Sequence, residues 1–247
     1  MANNLSKVFS AELEGIDARL VEVETDLHVG LHAFSIVGLA DKALSEAKER
    51  VCSALKNSGV KPPNKENRKI VVNLAPADLK KNGSQYDLAI AVGYLLATKQ
   101  IKDFPTEDKM FVGELALNGS LRSVSGVLST ALLCKKIKIK TIFVPESNAK
   151  EAAIVDDIEI IPVKNLNQLI AHLENKEVVA HQRHVDNFFE DSLENGVDFS
   201  EIKGQENAKR ALMIAAAGGH NVLMTGSPGG GKTMLAKALV SLLPPLS

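Results

Sequence analysis

The sequence predicts a mixed α/β protein whose sheet is partly antiparallel. Short apolar runs typical of strands alternate irregularly with helical segments, which favours an α/β or α+β fold over a strict β-α-β repeat. The interior is predicted to be aliphatic, because 45% of the residues are apolar while 4% are aromatic and none is Trp. A chain of 247 residues is long enough for one large domain or two small ones.

The first half of the chain begins with three β-type runs, and Gly15 and Gly30 supply the turns between them: VFSAELEG, RLVEVETDLHV and AFSIVG. Residues 41–57 predict a helix that ends at Gly59. Its apolar face holds Leu44, Ala47, Val51, Ala54 and Leu55. The polar loop VKPPNKENR then leads to the buried-strand pattern KIVVNL, and residues 86–98 predict a second helix.

The second half begins with MFVGELAL (110–117), which predicts a strand that turns at Asn118 and Gly119. A third helix is predicted over 124–136, then the strand TIFVP, and IEIIPV and NLNQLIAHL predict a last strand and helix. Between 174 and 198, seven acidic residues stand against two basic ones. This segment predicts an exposed linker between domains at 1–173 and 199–247. A further helix is predicted over 205–217.

Bulk composition indicates neither a nucleic-acid nor a membrane partner, because 29 basic residues balance 30 acidic ones. Cys52 and Cys134 are too few for a disulfide framework or a metal site, which favours a reducing compartment. No apolar stretch approaches the eighteen or so residues of a membrane helix, and the N-terminus lacks an apolar signal region. We therefore expect a soluble, cytoplasmic protein with no membrane partner.

The string GSPGGGKT at 226–233 fits the phosphate-loop pattern G-x-x-x-x-G-K-[ST]. It stands between an apolar run (221–225) that predicts a strand and a helical stretch (234–243), which is the context that the pattern needs. Lys232 would bind the β- and γ-phosphates of ATP, and the Thr233 hydroxyl would ligate Mg²⁺. The alternative is a glycine-rich turn without a ligand. The predicted nucleotide-binding residues are Gly226, Ser227, Pro228, Gly229, Gly230, Gly231, Lys232 and Thr233.

Two weaker signals each have a simpler alternative. His181 and His184 have helical spacing, but no further zinc-ligand pattern surrounds them, which favours a solvated linker. The stretch 56–81 holds seven basic residues against two acidic ones and could contact DNA phosphates or form a solvated face. No aromatic residue is interleaved with these basic residues, which weakens the DNA hypothesis. The basic residues are Lys56, Lys61, Lys65, Arg68, Lys69, Lys80 and Lys81.

The stretches DFSEIKGQENAKRAL and GGHNVLMTGSPGGGKTMLAKAL resemble the start of the AAA+ ATPases of the magnesium-chelatase type. The stretches GLHAFSIVGLADKALSEAKERV and KIVVNLAPADLKKNGSQYDLAIA are similar to the domain that precedes this module in the ComM/YifB group. The resemblance covers nearly the whole chain. It implies ATP and Mg²⁺ as cofactors, a homo-oligomeric, usually hexameric ring, and DNA branch migration during natural transformation. It also implies that Ile202 lies near the adenine.

The stretches GELALNGSLRSVSGVLS and IKTIFVPESNAKEAA are similar to the proteolytic domain of Lon, which has the ribosomal-protein-S5-domain-2-like fold. The resemblance raises a second function, a protease with a Ser–Lys dyad. Lon-type enzymes carry the serine in K-D-G-P-S-A-G, and the matching stretch KNGSQYD (81–87) places Gln85 at the nucleophile. Leu128 stands at the position of the lysine. We expect a retained fold without protease activity; a shifted dyad through Ser84 is the alternative.

Hydrolysis of ATP in this class needs an acidic Walker-B residue and usually an arginine finger. No Asp, Glu or Arg follows Thr233 in the sequence. We therefore expect the opening part of an AAA+ module without catalytic residues of its own, in which ATP binding is weak or absent. A parent protein would be the ATPase. The alternatives are a non-catalytic interaction or oligomerisation module and a magnesium-chelatase-like remodelling ATPase.

Overall fold

The structure is a computed structural model that describes residues 5–31, 33–38, 42–65, 67–81, 83–185 and 197–243. The chain divides into two compact units, Met1–Val185 and Asp186–Ser247. The strands of the first unit are β1 (Leu5–Glu14), β2 (Asp17–Val29), β3 (Ala33–Val37), β4 (Arg68–Ala75), β5 (Lys109–Phe111), β6 (Glu114–Leu115), β7 (Leu121–Arg122), β8 (Thr141–Pro145) and β9 (Glu159–Val163). Its α-helices are α1 (Lys42–Asn57), α2 (Asp87–Ala97), α3 (Val127–Ile137), α4 (Ala149–Ala152) and α5 (Leu166–Leu173).

The first unit is built on a seven-stranded mixed sheet in the order β3-β4-β2-β1-β5-β8-β9. Strands β1 and β2 form a long antiparallel hairpin, and β2 also pairs antiparallel with β4. The pairs β3–β4, β1–β5, β5–β8 and β8–β9 are parallel. The predicted mixed α/β fold with a partly antiparallel sheet is confirmed.

Helix α2 contacts β1, β2 and α1, and its whole length is buried. This follows from its sequence, DLAIAVGYLLA, which is apolar on every side after the first residue. The predicted face of α1 is also buried, because Ala47, Val51, Ala54 and Leu55 are fully covered. The side chain of Leu44 lies outside the described residues. A second apolar cluster forms around α3 and includes Met110 and Ile142.

The predicted single strand over 110–117 is divided into β5 and β6, which is a correction. Gly113 stands between them: its N–H donates to the carbonyl of Gln85 at 2.9 Å, and its carbonyl accepts from the N–H of Leu88 at 3.1 Å. These two bonds join the chain to the start of α2 instead of to the next strand. A side chain at Gly113 would lie 3.2 Å from a methyl group of Leu121, so the close approach favours glycine.

The first unit continues past the predicted boundary at residue 173. The N–H of Lys176 donates to Ala171, that of Gln182 donates to Ile160, and that of Val185 donates to Ala153. Part of the predicted linker therefore packs along the first unit as an irregular strap, 174–185, whereas 186–196 lies outside the described residues. We keep a linker between the two units as a prediction.

The second unit contains α6 (Glu206–Gly218) and α7 (Lys232–Leu239), together with short 3₁₀ turns at Phe199–Glu201 and Val240–Leu242. Both predicted helices are present. The predicted strand at 221–225 is not: this segment joins no β-ladder with any described residue. Residues 197–243 contain no strand, so the segment has no described neighbour within its own unit with which to pair.

Candidate functional site

The loop at 226–233 owes its shape to three glycines with positive φ. Gly226, Gly229 and Gly231 have φ values of +153°, +79° and +78°, which side-chain-bearing L-residues adopt only with strain. Gly231 is also the N-cap of α7, and no side chain caps that helix. The first-turn N–H groups of α7 are therefore open to an acceptor such as a phosphate oxygen.

Lys232 is the first residue of α7, and its side chain folds back across the loop. Its Nζ donates to the carbonyl oxygens of Gly226 at 2.9 Å and Ser227 at 2.7 Å. The ammonium group therefore lies at the loop, where its charge supplements the uncapped helix N-terminus. Thr233 is exposed in the first helical turn. The arrangement presents a cation, a hydroxyl group and backbone donors together, which suits a phosphate ligand with a divalent cation.

Helix α7 is fixed to its unit by a small apolar cluster. Leu235 and Ala238 on α7 are buried together with Leu212 on α6 and with Ile202. The structure therefore brings Ile202 into the same cluster as the helix that follows the phosphate loop. Its predicted place near an adenine remains a prediction.

A second candidate site lies in the first unit, where the sequence predicts a lost protease dyad. Gln85, at the nucleophile position, donates through Nε2 to the Glu12 carboxylate at 2.8 Å. The Tyr86 hydroxyl donates to the same oxygen. Ser84 donates to the carboxylate of Glu114, so its hydroxyl is bonded to an acid and not to a lysine.

The lysine in this region bonds a backbone carbonyl oxygen. Lys81 is fully buried, and its ammonium donates to the carbonyl oxygen of Pro76. Burial lowers its pKa, and the charges of Asp78 and Glu12 oppose that shift. At the dyad's lysine position, Leu128 offers an aliphatic side chain, and its N–H donates to Glu151 at 3.1 Å. The loss of the Ser–Lys dyad stays a prediction.

A buried ion pair fixes the start of α2 beside this site. Arg50 on α1 donates to both carboxylate oxygens of Asp87, at 2.7 and 3.0 Å, and the N–H of Leu115 adds a third bond. Burial raises the pKa of Asp87 to about 6, although the Arg50 guanidinium opposes the shift. Neither this pair nor Glu12 was predicted from the sequence. One available signal was an acidic residue at the start of an otherwise apolar helix.

The predicted basic region lies at the surface with one exception. Six of its seven basic residues are exposed: Lys56, Lys61, Lys65, Arg68, Lys69 and Lys80. Lys81 is fully buried, so its predicted contribution to a DNA-binding surface is wrong. A positive surface for phosphates would have to use the other six.

His181 and His184, which have helical spacing, both lie in the strap 174–185. His184 Nδ1 lies 3.2 Å from a carboxylate oxygen of Asp156. Within the described part of the chain, no group of three or more His, Cys, Asp or Glu residues is placed to hold a metal ion. Among the same described residues, no helix is long and apolar enough to cross a membrane.

The chain is similar to several curated proteins over most of its length. The curated relatives include the competence protein ComM of Haemophilus influenzae, 41% identical over 246 residues, which are 99% of this chain and 48% of that protein. The protein YifB of Escherichia coli is 40% identical over 244 residues, 99% of this chain and 47% of its own length. The chain thus spans about half the length of these relatives. Lon protease of Rhizobium meliloti is 26% identical over 166 residues, 64% of this chain and 20% of that protein.

Family models match both units of the chain. Residues 23–148 match the model described as subunit ChlI of Mg-chelatase. Residues 198–247, which include the phosphate loop, match the model described as magnesium chelatase, subunit ChlI. The chain therefore belongs to the family of the magnesium-chelatase subunit ChlI, as a protein of the ComM/YifB type.

Proposed function

We propose that residues 226–233 bind ATP with Mg²⁺ and that the chain is the nucleotide-dependent part of a ComM-like AAA+ protein. The observation that carries this proposal is the loop itself, in which three positive-φ glycines lead directly into an uncapped helix. Membership of the ChlI family supports the same conclusion.

Each residue then has a definite role. The backbone N–H groups of the loop and of the first turn of α7 donate to phosphate oxygens. Lys232 exchanges its present partners, the carbonyls of Gly226 and Ser227, for the β- and γ-phosphates. The hydroxyl of Thr233 ligates Mg²⁺, and Ile202 contacts the adenine.

The test is binding of a fluorescent ATP analogue to a protein of the relatives' full length, with and without Mg²⁺. Lys232→Ala should weaken binding by about ten- to a hundredfold, because a charge-assisted hydrogen bond to phosphate is lost. The matched control is Lys237→Ala on the same helix, which should bind as the parent does. Equal affinity of the two variants would contradict the proposal.

The 247-residue chain itself should bind the analogue weakly or not at all. The segment at 221–225 that leads into the loop forms no β-ladder with a described residue, and residues 226–230 are exposed. A loop without a supporting sheet must be ordered when the ligand binds. The conformational entropy lost in that step weakens the affinity. Micromolar, Mg²⁺-dependent binding by this chain, measured by calorimetry, would contradict the expectation.

We further propose that the whole protein assembles into a homo-oligomeric, hexameric ring and that this ring moves along DNA. The relative in Haemophilus influenzae is named a competence protein, and the exposed bases between 56 and 80 offer a surface for phosphates. Replacing Lys65, Arg68 and Lys69 with Gln should then weaken duplex binding and flatten its salt dependence. The family match also favours a second candidate, a remodelling ATPase, for which duplex DNA would neither bind nor stimulate ATP hydrolysis.

A further inference from the structure

The first unit contains a cleft between the end of β1 and residues 123–125, with a volume of about 380 Å³. The lining residues come from three segments: the end of β1 (Glu12 and Leu13), the residues before α2 (Gly83, Ser84 and Gln85), and Ser123, Val124 and Ser125. Along the edge of β1 that faces β5, the two strands pair at a single position, Phe9 with Met110. Beyond Phe9, that edge of β1 has no strand partner among the described residues.

The opposite wall of the cleft resembles a strand that has been paired on one side. The N–H of Val124 donates to Oδ1 of Asn148 at 3.0 Å, and Nδ2 of Asn148 donates back to the Val124 carbonyl at 2.9 Å. A buried side-chain amide, 6% exposed, thus bonds both backbone groups as a neighbouring strand would. In an extended chain, adjacent residues direct their backbone groups to opposite sides.

Because each peptide unit is planar, with its C=O and N–H pointing in opposite directions, the Ser123 carbonyl and the Ser125 N–H point away from Asn148. Ser123 and Ser125 both line the cleft. Neither residue makes a backbone hydrogen bond to another described residue. The cleft is therefore bordered by two backbone edges, the end of β1 and residues 123–125, that have no partner strand between them. An added strand is the ligand that such edges accept.

The side chains of the cleft are rich in acceptors. Glu12 is its one charged lining residue, and this carboxylate is 4% exposed and fixed by Gln85 and Tyr86. Because the side-chain Nε2 of Gln85 donates to Glu12, its side-chain Oε1 can accept a hydrogen bond from a ligand. Lys81 does not line the cleft and bonds Pro76. The volume falls within the range of small-ligand sites, so it holds one long side chain.

We propose that this cleft binds an extended peptide segment, which pairs with residues 123–125 and directs a lysine or arginine side chain toward Glu12. The binding forms and breaks no covalent bond. It does not depend on the nucleotide loop, and a Lys232→Ala chain should bind the peptide as the parent does.

The test uses a fluorescein-labelled, N-acetylated heptapeptide of alternating threonine and valine with a central arginine, and its twin with citrulline. In fluorescence anisotropy with the 247-residue chain, the arginine peptide should bind about tenfold more tightly than the neutral citrulline peptide. Glu12→Gln keeps an acceptor for Tyr86 and should abolish this preference. Glu114→Gln is the matched control, because Glu114 bonds Ser84 and Arg122 but does not line the cleft.

Hydrogen exchange gives a second readout that needs no substitution. The amide proton of Ser125 should exchange more slowly with the arginine peptide present, whereas that of Val124, already bonded to Asn148, should change little. Two results would overturn the proposal. One is equal affinity for both peptides in the parent chain, and the other is unchanged exchange at Ser125 with saturating peptide.

Discussion

The two units differ in how their functional groups are held. In the first unit, two apolar clusters cover the sheet, and helix α2 is buried along its entire length. In the second, the described apolar cluster has four buried members: Ile202, Leu212, Leu235 and Ala238. Several large apolar side chains of that unit are exposed, among them Met213, Ile214, Val222, Leu223, Met234, Val240 and Leu243.

The contrast extends to the candidate sites. In the cleft, Glu12 is bonded to Gln85 and Tyr86, which are 73 and 74 residues away in sequence. In the phosphate loop, Lys232 is bonded to carbonyls 6 and 5 residues away, and glycine conformations set the remaining geometry. The cleft therefore depends on tertiary packing, whereas the loop depends on local backbone chemistry.

The largest expected effect separates the cores of the two units. Leu88→Ala removes a fully buried side chain of α2 and should lower the free energy of unfolding of the first unit by about 3 kcal/mol. Leu235→Ala makes the same change in the smaller cluster of the second unit. It should leave the main urea transition, monitored by circular dichroism, within about 0.5 kcal/mol of the parent. Equal shifts for the two variants would show that the units unfold together.

The same contrast explains which features the sequence predicts. Residues 226–233 form a local pattern, so the spacing of glycines and Lys232 was sufficient to find the loop. The buried face of α1 followed from helical periodicity in the same way. The position of Gly113 could not be predicted from the sequence, because its bonds to Gln85 and Leu88 join segments that are distant in sequence. The burial of Lys81 could not be predicted from the sequence either, because lysine side chains are usually exposed.

The second prediction concerns Asp87, whose burial belongs to the packed unit. Its pKa is raised from 3.8 to about 6 by burial, so between about pH 4 and pH 6 the folded protein binds a proton that the unfolded chain does not. The contribution of this group to the free energy of unfolding therefore falls as pH rises through that window. Urea titrations at several pH values should show a steeper fall in the parent than in Asp87→Asn. Identical slopes would contradict the assignment.

The third prediction tests the strap at the end of the first unit. The N–H of Val179 donates to Nδ1 of His172 at 3.0 Å, which requires that nitrogen to be unprotonated. Burial lowers the pKa of His172 from 6.5, so the stability that the neutral ring provides is present above pH 6.5 and is lost as the pH falls toward the lowered pKa.

His172→Phe retains a ring beside Phe143, which His172 contacts edge-on, but removes the acceptor. The Val179 amide should then exchange about tenfold faster with deuterium at pH 7. The Gln182 amide, which bonds the carbonyl of Ile160, is the internal control. Acceleration at both amides would mean that the substitution loosens the whole strap, and the His172 bond would have no separate role.

The smallest effect compares one glycine from each unit. Gly231 has φ +78° at the start of α7, and an alanine there is strained by about 1 kcal/mol whatever space surrounds it. Gly30 lies outside that region of φ, and a Cβ added to it meets no atom within 4 Å, so Gly30→Ala should change stability by less than about 0.5 kcal/mol. The readout for Gly231→Ala is the exchange of the Leu235 amide, which bonds the Gly231 carbonyl at 2.9 Å. It should accelerate about fivefold, because the strain favours opening of the first turn of α7. An unchanged Leu235 amide in Gly231→Ala would show that tertiary contacts, and not the local conformation of glycine, hold the loop at the helix.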